Sequence, residues 1–325
     1  MNGILARAVG AALGVVLSVG GAAALAQTYP SKPVRIVVPF APGGVGDISA
    51  RVLAQKLTET LGQQVLVDNR PSAGGIVASE IVAKAEPDGH TLLLLTNGHA
   101  VSASLFKQLP YDAVNDFAPI SSLGFFDMVV LVNGDSKIGT LGELIAAAKA
   151  SPGKLNLGTI NPGGTQHLAA ELFKSMAGID VLIVPFKATP AVITALKGNE
   201  IHAAVEFITP VMAQIKAGGL KPLAVTPNRR FSGLPEVPTV AEAGVPGYEA
   251  SSWNGVAAPA KTPKQILDRL NKEVNAAVGS PEVKERLHGL GVEARASTPE
   301  RFRELLVSDI AKWKDVIERA KIERR

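Results

Sequence analysis

The 325-residue chain contains no cysteine. This absence excludes disulfide bonds, thiolate nucleophiles and cysteine-ligated zinc or iron–sulfur sites. The five histidines show no metal-ligand spacing, and neither a G-x-S-x-G elbow nor an H-E-x-x-H zinc motif occurs. The sequence therefore predicts no catalytic residue, no metal site and no cofactor, and it disfavours an enzyme.

Aromatic residues make up only 5% of the chain and charged residues only 19%, whereas 46% of the residues are hydrophobic. Such a composition is typical of one large or two medium globular domains. The net charge is +4, or +3 without residues 1–26, whose only charged side chain is Arg7. Acidic and basic residues are interspersed, and no basic stripe with aromatic residues occurs. Nucleic acid is therefore not an expected partner.

Residues 1–26 have the layout of a secretory signal peptide. Arg7 precedes an uncharged run over residues 8–25, and the small residues Ala24 and Ala26 frame a cleavage site. The alternative is an uncleaved anchor, because about 18 apolar residues could just span a bilayer. Many of these residues are the weakly hydrophobic glycine and alanine, so we predict cleavage after Ala26 and export to the periplasm. No later segment of the sequence is long and apolar enough to cross a membrane.

Short apolar runs alternate with segments of helical periodicity, which predicts an α/β fold with a parallel sheet. The predicted strands are residues 34–39, 65–68, 91–95, 129–132, 155–158, 181–184, 203–207 and 222–225. The predicted helices are residues 48–61, 76–85, 141–150, 165–177, 191–196, 264–278, 281–290 and 299–320.

Two helix starts carry the spacing of a capping box, Thr140 with Glu143 and Thr262 with Gln265. The last helix places Trp313 on its apolar face, where a core position is expected. The other residues of this face are Phe302, Leu305, Leu306, Ile310 and Ile317.

Residues 234–253 are rich in proline, glycine and glutamate and have no sustained period. A long loop of this kind in a compact domain is usually functional or a crossover. We interpret it as the return of the chain to a first lobe. The predicted lobes are residues 27–126 with 250–325, completed by the C-terminal helices, and residues 127–249.

The most informative pattern is an internal echo. Residues 37–44 read VVPFAPGG and residues 157–164 read LGTINPGG, so that a P-G-G follows an apolar run twice, 120 positions apart. A strand that breaks here and continues as a helix presents free backbone N–H groups and the positive end of a helix dipole. Two such loops predict two lobes that close on one acidic ligand. We expect valine at Gly44 or Gly164 to block the approach of this ligand and to strain the turn.

The polar side chains of the two loops are candidate ligand contacts. The first loop fits neither a P-loop nor a dinucleotide motif, and its Asp47 either holds the loop or accepts a hydrogen bond from a ligand. The second loop offers Thr159, Asn161 and Thr165 as neutral partners. His167 corresponds to Asp47 in the echo, and the helix dipole favours its neutral form. Its roles as a structural residue and as a ligand contact both stay open.

Two further candidates follow predicted strands. Asn97 lies just after one strand, and Glu206 lies near the end of another. In open α/β sheets, ligands bind outside the carboxyl ends of the strands. Because acidic residues are rarely buried without a partner, Glu206 is either an exposed strand end or part of a pocket. We favour the pocket, where this carboxylate would disfavour a second ligand carboxylate and favour a ligand with an ammonium, amide or hydroxyl donor.

Several motifs in a fixed order resemble the solute receptors of tripartite tricarboxylate transporters, the Bug family of periplasmic binding proteins. The resemblance covers essentially residues 29–322. Its motifs are YPSKP at 29–33, VPFAPGGVGD at 38–47, DNRPSAGG at 68–75, PDGHT at 87–91, GGTQHLAAELF at 163–173, LPEVPT at 234–239 and SWNG at 252–255.

The resemblance implies a two-lobed periplasmic binding protein fold with a ligand cleft between the lobes. It implies that a ligand carboxylate is held by both loops, partly through water and without an obligatory arginine or lysine. The first loop would contribute Pro39, Phe40, Gly43 and Gly44, with Asp47 closing it. The second would contribute the set Gly163, Gly164, Thr165 and His167.

The resemblance also implies a non-catalytic, monomeric receptor that captures a small organic acid or amino acid. Its partner would be a permease with two integral membrane subunits. An orphan receptor for a sensor kinase is an alternative, and a secreted enzyme acting on organic acids is a weaker one. Ser72 stands where the family usually has glycine, and Glu206 stands where members often carry aspartate or another polar residue. We therefore expect Glu206 to influence specificity.

Overall fold

The computed structural model describes residues 29–160 and 163–325, so the predicted signal peptide and Asn161 lie outside the described residues. The strands of this part are β1 Val34–Val38, β2 Val65–Asn69, β3 Thr91–Thr96, β4 Phe117–Asn133, β5 Asn156–Ile160, β6 Leu182–Phe186, β7 Ala203–Phe207, β8 Leu220–Val225, β9 Ser251–Pro259 and β10 Glu293–Ala294. The helices are α1 Val45–Leu61, α2 Ile76–Ala83, α3 Asn97–Leu105, α4 Leu141–Ala150, α5 Thr165–Ala177, α6 Thr189–Lys197, α7 Ile208–Lys216, α8 Lys264–Gly279, α9 Pro281–Gly289 and α10 Pro299–Arg319. A single 3-10 turn, Ala73–Gly75, precedes α2.

The strands form one mixed sheet in the order β2-β1-β3-β9-β4-β7-β5-β6, with β8 and β10 also pairing with β4. The prediction of a parallel sheet is correct only for the outer strands. β1 pairs in parallel with β2 and β3, and β5 pairs in parallel with β6 and β7. The centre is antiparallel, because β9 lies between β3 and β4 and runs against both.

Strand β4 runs through both halves of the sheet. Residues Phe117 to Asp127 pair with β9, whereas Met128 to Asn133 pair with β7 and β8. Two register shifts interrupt the pairing with β9, one after Pro119 and one after Ser122. The first half of the sheet, β1–β3 with β9, therefore joins the second half, β5–β8, through one 17-residue strand.

Three hydrophobic clusters cover the sheet. The first spans both halves on one face, where α10 contributes Phe302, Leu306 and Trp313. The second packs α1, α8 and α9 on the other face of the first half, and the third packs α6 and α7 on the other face of the second half. The predicted core position of Trp313 is confirmed, because its side chain is fully buried.

The two predicted capping boxes differ in outcome. In the first, Glu143 N donates to Thr140 Oγ1 at 3.2 Å, and Glu143 Oε2 accepts from Gly139 N. The prediction for Thr262 is wrong. Its hydroxyl donates to Pro259 O at 2.8 Å, and α8 begins after an N-cap at Pro263.

Sequence periodicity predicted the flanking elements and missed several central ones. The predicted helices and strands overlap the observed ones, whereas α3, α7, β9, β10 and the first part of β4 were not predicted. The two residues of β10 separate α9 from α10, where only helices were expected after the long loop. The long loop predicted over residues 234–253 ends at residue 250, because β9 begins at Ser251.

Candidate functional site

The first loop connects β1 to α1. Gly43 adopts φ 89°, a left-handed conformation that favours glycine, and Gly44 is the N-cap of α1 with φ −77° and ψ 163°. No side chain caps α1 at this end within the described residues. Asp47 Oδ2 accepts hydrogen bonds from Gly43 N at 2.9 Å and Arg51 Nε at 3.0 Å. Asp47 thus holds the loop, one of its two predicted roles.

The second loop connects β5 to α5 and repeats this geometry. Gly163 has φ 78°, and Gly164 is the N-cap of α5 with φ −78° and ψ 170°. Gly163 N donates to His167 Nδ1 at 3.3 Å, as Gly43 N donates to Asp47. In each loop, the side chain four residues after the left-handed glycine accepts a hydrogen bond from the backbone N–H of that glycine. The predicted equivalence of the loops is therefore confirmed.

These angles correct the expected effect of valine at Gly44 and Gly164. Both residues have extended backbone that any residue adopts, so substitution there does not strain the turn. A Cβ at Gly44 would have only Ala41 O as a neighbour, at 4.0 Å. The strained positions are Gly43 and Gly163, one residue earlier.

Asp47 and His167 differ in charge. Burial alone would raise the pKa of Asp47, but hydrogen bonds from Arg51, Gly43 N and Asn69 outweigh it and hold this pKa below its usual value. Burial lowers the pKa of His167. Because His167 Nδ1 accepts from a backbone N–H, the neutral ring carries its proton on Nε2. The side chain that holds the second loop, His167, is therefore neutral, whereas Asp47 in the first loop is charged.

A cavity of about 420 Å³ lies between the two loops and is called the loop cavity below. Of the predicted site residues, it is lined by Pro39, Phe40, Gly163, Gly164 and Thr165. Gly43, Gly44, Asp47, Asn97, Thr159, Glu206 and His167 are not among its lining residues. His167 and Gly163 instead line an adjoining cavity of about 400 Å³, whose other wall is formed by residues 322–325.

Asn97 lies beneath the loop cavity and links it to the C-terminal helix. Its side chain is fully buried at the start of α3. Asn97 Oδ1 accepts from Thr165 Oγ1 at 3.0 Å, and its Nδ2 donates to Asp309 Oδ2 at 2.7 Å. Asp309 also accepts from Trp253 Nε1 at 2.7 Å and pairs with Lys312 Nζ at 2.7 Å. Asp309 therefore fixes which atom of the Asn97 amide faces the second loop.

Three buried side chains lie behind the second loop: Thr159 and Glu206 near the ends of β5 and β7, and Gln166 in the first turn of α5. Thr159 Oγ1, Gln166 Nε2 and Glu206 Oε1 have no hydrogen-bond partner among the described residues. The other carboxylate oxygen, Glu206 Oε2, accepts from Thr189 Oγ1 at 3.1 Å. Burial raises the pKa of Glu206 to about 7, although Thr189 and the nearby Gln166 amide partly favour the charged form. Glu206 is thus not an exposed strand end.

Sequence reasoning missed two parts of the loop cavity. The first is the wall formed by residues 72–75, in which Gly74 and Gly75 adopt φ 65° and 71°. The Gly74-Gly75 pair, at the end of the DNRPSAGG motif, was the sequence signal for this wall. The second is Arg325, which lines the cavity although no basic residue lies in either loop. Arg325 N donates to Leu105 O at 2.9 Å and Arg325 O accepts from Lys107 N at 2.7 Å, so its backbone is fixed.

Two kinds of feature are absent from residues 29–160 and 163–325 of the protein. In these ranges, no group of three or more histidine, aspartate or glutamate side chains could hold a metal ion. No helix in the same ranges has the length and apolar character needed to cross a membrane.

Comparison with known families decides the class of the protein. The sequence model of the family described as the tripartite tricarboxylate transporter family receptor matches residues 49–322. The chain belongs to this family. Its members are periplasmic receptors that bind small carboxylates and work with a membrane transporter, so the protein is a solute-binding receptor and not an enzyme.

Relatives and solved structures agree. A UPF0065 protein from the tcbD-tcbE intergenic region of Pseudomonas sp. strain P51 is 37% identical over 94% of this chain and 92% of its own length. BugT of Bordetella pertussis is 36% identical over 94% of this chain and 95% of its own length. R. palustris Rpa4515 with adipate has a TM-score of 0.75 and 34% identity over 91% of this chain and 99% of its own. Periplasmic binding protein BugD has a TM-score of 0.73 and 33% identity, covering 91% of this chain and 100% of its own. MatC from Rhodopseudomonas palustris with bound malate has a TM-score of 0.71 and 30% identity, covering 89% of this chain and 100% of its own.

Proposed function

We propose that this receptor captures a small carboxylate, an organic acid or an amino acid, in a cleft between two lobes. The lobes are residues 27–126 with 250–325, and residues 127–249. The mature protein starts after Ala26, is monomeric and delivers its ligand to a permease with two integral membrane subunits. The observation that carries the proposal is the pair of equivalent loops, which meet at one cavity through Phe40 and Gly164.

The loops have the chemistry of a reversible anion site. Each contains a glycine N-cap, so its helix presents first-turn N–H groups with no side-chain cap in the described residues. These donors and the helix dipole favour a negative charge. The second loop adds the Nε2–H of a neutral His167, which lines the adjoining cavity, and Arg325 lines the loop cavity itself. A carboxylate can be held here by hydrogen bonds and released again.

The arrangement of β4 supports the division into lobes. This strand changes its partner from β9 to β7 and β8 between Asp127 and Met128. The loop cavity has walls from both sides of this change, since Pro39 and Thr96 belong to one side and Thr165 to the other. A ligand in the cavity would therefore contact both lobes. The adipate bound to Rpa4515 and the malate bound to MatC agree with a carboxylate ligand.

Native mass spectrometry of freshly purified protein would identify a retained ligand. A thermal-shift screen over acetate, malate, adipate and benzoate would then rank carboxylates, with adipamide as the uncharged match of adipate. A ligand at 100 times its Kd should raise the free energy of unfolding by about 2.7 kcal/mol. A stabilising shift of the same size with adipate and adipamide, or no shift with any carboxylate, would contradict the proposed function.

Arg325 gives a second test of the same proposal. Arg325→Gln should weaken binding of the best carboxylate about 2- to 5-fold at low salt and less at high salt, because a charge on an open cavity wall is screened. Arg301→Gln is the control, since Arg301 is exposed and pairs with Glu304 on α10. Equal affinity of both variants at every salt concentration would remove Arg325 from the site.

A further inference from the structure

The equivalence of the two loops extends to a third position. Arg51 follows Asp47 by four residues on α1, and Glu171 follows His167 by four residues on α5, so that these positions are again 120 apart. Arg51 Nε donates to Asp47 Oδ2 at 3.0 Å, and His167 Nε2 lies 4.0 Å from Glu171 Oε1. In each loop, the side chain that accepts from the left-handed glycine therefore contacts an acid–base partner one helical turn later.

The order of acid and base is reversed between the two loops. The Asp47 carboxylate has only acceptor oxygens, so it can accept from Gly43 N whatever its other partners are, and Asn69 Nδ2 also donates to it at 2.8 Å. A neutral imidazole, in contrast, has one donor nitrogen and one acceptor nitrogen, which can exchange roles. The second loop therefore depends on which ring nitrogen of His167 carries the proton.

Two neighbours select the same tautomer of His167. A proton on Nδ1 would face the N–H of Gly163, whose nitrogen lies 3.3 Å away, and the Nε2 lone pair would then face the Glu171 carboxylate. A proton on Nε2 removes both repulsions. At 4.0 Å the contact with Glu171 is electrostatic and not a direct hydrogen bond. Burial strengthens it, because only 12% of the His167 side chain and 17% of the Glu171 side chain are exposed.

Other charged groups surround this pair. Burial raises the pKa of Glu171, and the charge of Lys174 on the same helix lowers it. The C-terminal part of the chain contributes Asp315 and Arg319 to a cavity beside Glu171, and Glu323, Arg324 and Arg325 to the adjoining cavity beside His167. Because Glu171 lies one turn from His167 on α5, this helix alone fixes its position relative to the ring.

We propose that Glu171 is a positioning residue of the ligand site, which keeps the His167 proton on Nε2. Nδ1 then accepts from Gly163 N–H, and the second loop keeps the shape that receives the ligand. This inference rests on the proposed function, because the second loop is one of the two that would hold the carboxylate. Glu171 lines neither the loop cavity nor the adjoining cavity, so it acts through His167.

Nuclear magnetic resonance of the protein with 15N-labelled histidine tests the tautomer without any ligand. His167→Asn identifies the His167 signals by their absence. At pH 8 the wild-type ring should show an unprotonated Nδ1 and a protonated Nε2. In Glu171→Gln, whose amide can face either nitrogen, the two 15N shifts should move toward each other. The titration midpoint of His167 should also fall by about 1 pH unit, because a nearby carboxylate favours the imidazolium.

Calorimetry then connects the tautomer to the ligand. At pH 8, Glu171→Gln should weaken binding of the best carboxylate of the screen about 2- to 5-fold, because a fraction of the rings no longer accepts from Gly163 N. Glu273→Gln is the matched control, since the Glu273 side chain is 13% exposed and pairs with Arg269 one turn away on α8. The control should change neither the His167 signals nor the affinity. Thermal unfolding of both variants checks the fold.

The outcomes separate this inference from the proposed function. A wild-type His167 with its proton on Nδ1 overturns the inference, as do unchanged 15N shifts or an unchanged midpoint in a folded Glu171→Gln variant. Changed shifts with wild-type affinity also overturn it, because Glu171 would then orient the ring without serving the ligand site. If the wild-type protein binds no carboxylate of the screen, the proposed function fails and the role of Glu171 in binding fails with it, while the 15N shifts still decide the tautomer.

Discussion

Thr165 Oγ1 donates a hydrogen bond of 3.0 Å to Asn97 Oδ1, and this bond joins the starts of two helices from opposite halves of the sheet. Thr165 is the first residue of α5 and lines the loop cavity, whereas Asn97 is the first residue of α3 and lies beneath that cavity. The bond therefore ties the second loop to the first half of the protein beside the proposed ligand.

Loss of this hydrogen bond should weaken ligand binding. Thr165→Val removes the hydroxyl at nearly constant volume, and we expect the affinity for the best carboxylate of the screen to fall about 3- to 10-fold, as a net hydrogen bond contributes about 1 kcal/mol. Thr165→Ser should retain most of the affinity. Calorimetry measures both variants. Thr194→Val, which loses only a bond to Pro190 O within α6, should bind like wild type. Wild-type affinity of Thr165→Val would show that the bond plays no part in the ligand-bound state.

Asp309→Ala should destabilise the protein. The variant leaves Trp253 Nε1 and Asn97 Nδ2 without their common acceptor and Lys312 without its partner, so we expect the free energy of unfolding to fall by about 3 kcal/mol. Urea denaturation measures this loss. Asp315→Ala on the same helix is the control, because Asp315 is half-exposed and pairs with Arg319; its loss should stay below about 1 kcal/mol. Equal losses in the two variants would mean that the buried network contributes no more than a surface ion pair.

Glu206 should make stability depend on pH. An unfolded glutamate releases its proton near pH 4.5, whereas burial keeps the proton on folded Glu206 to about pH 7. Between these values the folded state binds more protons than the unfolded state. The contribution of Glu206 to the free energy of unfolding therefore falls as the pH rises from 4.5 to 7, by about 3 kcal/mol, and is constant above that range.

Glu206→Gln removes this titration. The difference in unfolding free energy between wild type and variant should shift by about 3 kcal/mol between pH 4.5 and pH 7.5, in favour of the variant at the higher pH. Urea denaturation at both pH values measures this difference in unfolding free energy. Glu200→Gln, at an exposed position, should show no such shift. A constant difference between wild type and Glu206→Gln would contradict the raised pKa.

The same variant tests the proposed influence of Glu206 on specificity. At pH 8, where the carboxyl is charged, Glu206→Gln should weaken aspartate relative to malate several-fold, because a buried carboxylate attracts the ligand ammonium. At pH 5 the preference should be nearly the same in both proteins. Calorimetric titration gives the four affinities. An unchanged preference at pH 8 would show that Glu206 acts on the fold alone.

Adjacent glycines should respond differently to valine. Gly44→Val has room and an ordinary backbone conformation, so stability should change by less than about 1 kcal/mol while carboxylate binding is lost. Gly43→Val forces a β-branched residue to φ 89° and should destabilise the fold by about 1–3 kcal/mol. Thermal unfolding and calorimetry separate the effects. Full binding by a stable Gly44→Val variant would show that the ligand does not approach this backbone.

The sequence predicts those parts of the structure that depend on local order. The P-G-G echo predicted the equivalence of Gly43 with Gly163, and periodicity predicted α4 and α5 with their observed ends. These features depend on residues within one or two helical turns of each other. They can therefore be read without knowledge of the strand order.

The missing parts depend on contacts between distant segments. Asn97 and Asp309 are 212 positions apart, and nothing near Asn97 indicates its partner. Arg325 enters the loop cavity only because its backbone pairs with Leu105 and Lys107. The start of α3 reads Asn-Gly-His, which resembles a turn, and the buried environment of the sheet overrides that local preference. The antiparallel centre of the sheet likewise has no local signal.

The position of β9 has a consequence for the order of synthesis. β9 separates β3 from β4, yet residues 251–259 follow both neighbours by more than 100 positions. Until this segment leaves the ribosome, β3 and the first part of β4 lack the strand between them, and the sheet has a gap at its centre. Pairing at such sequence separation is slow because of the chain entropy it costs. The centre of the sheet in the nascent chain thus stays incomplete until most of the chain has been made.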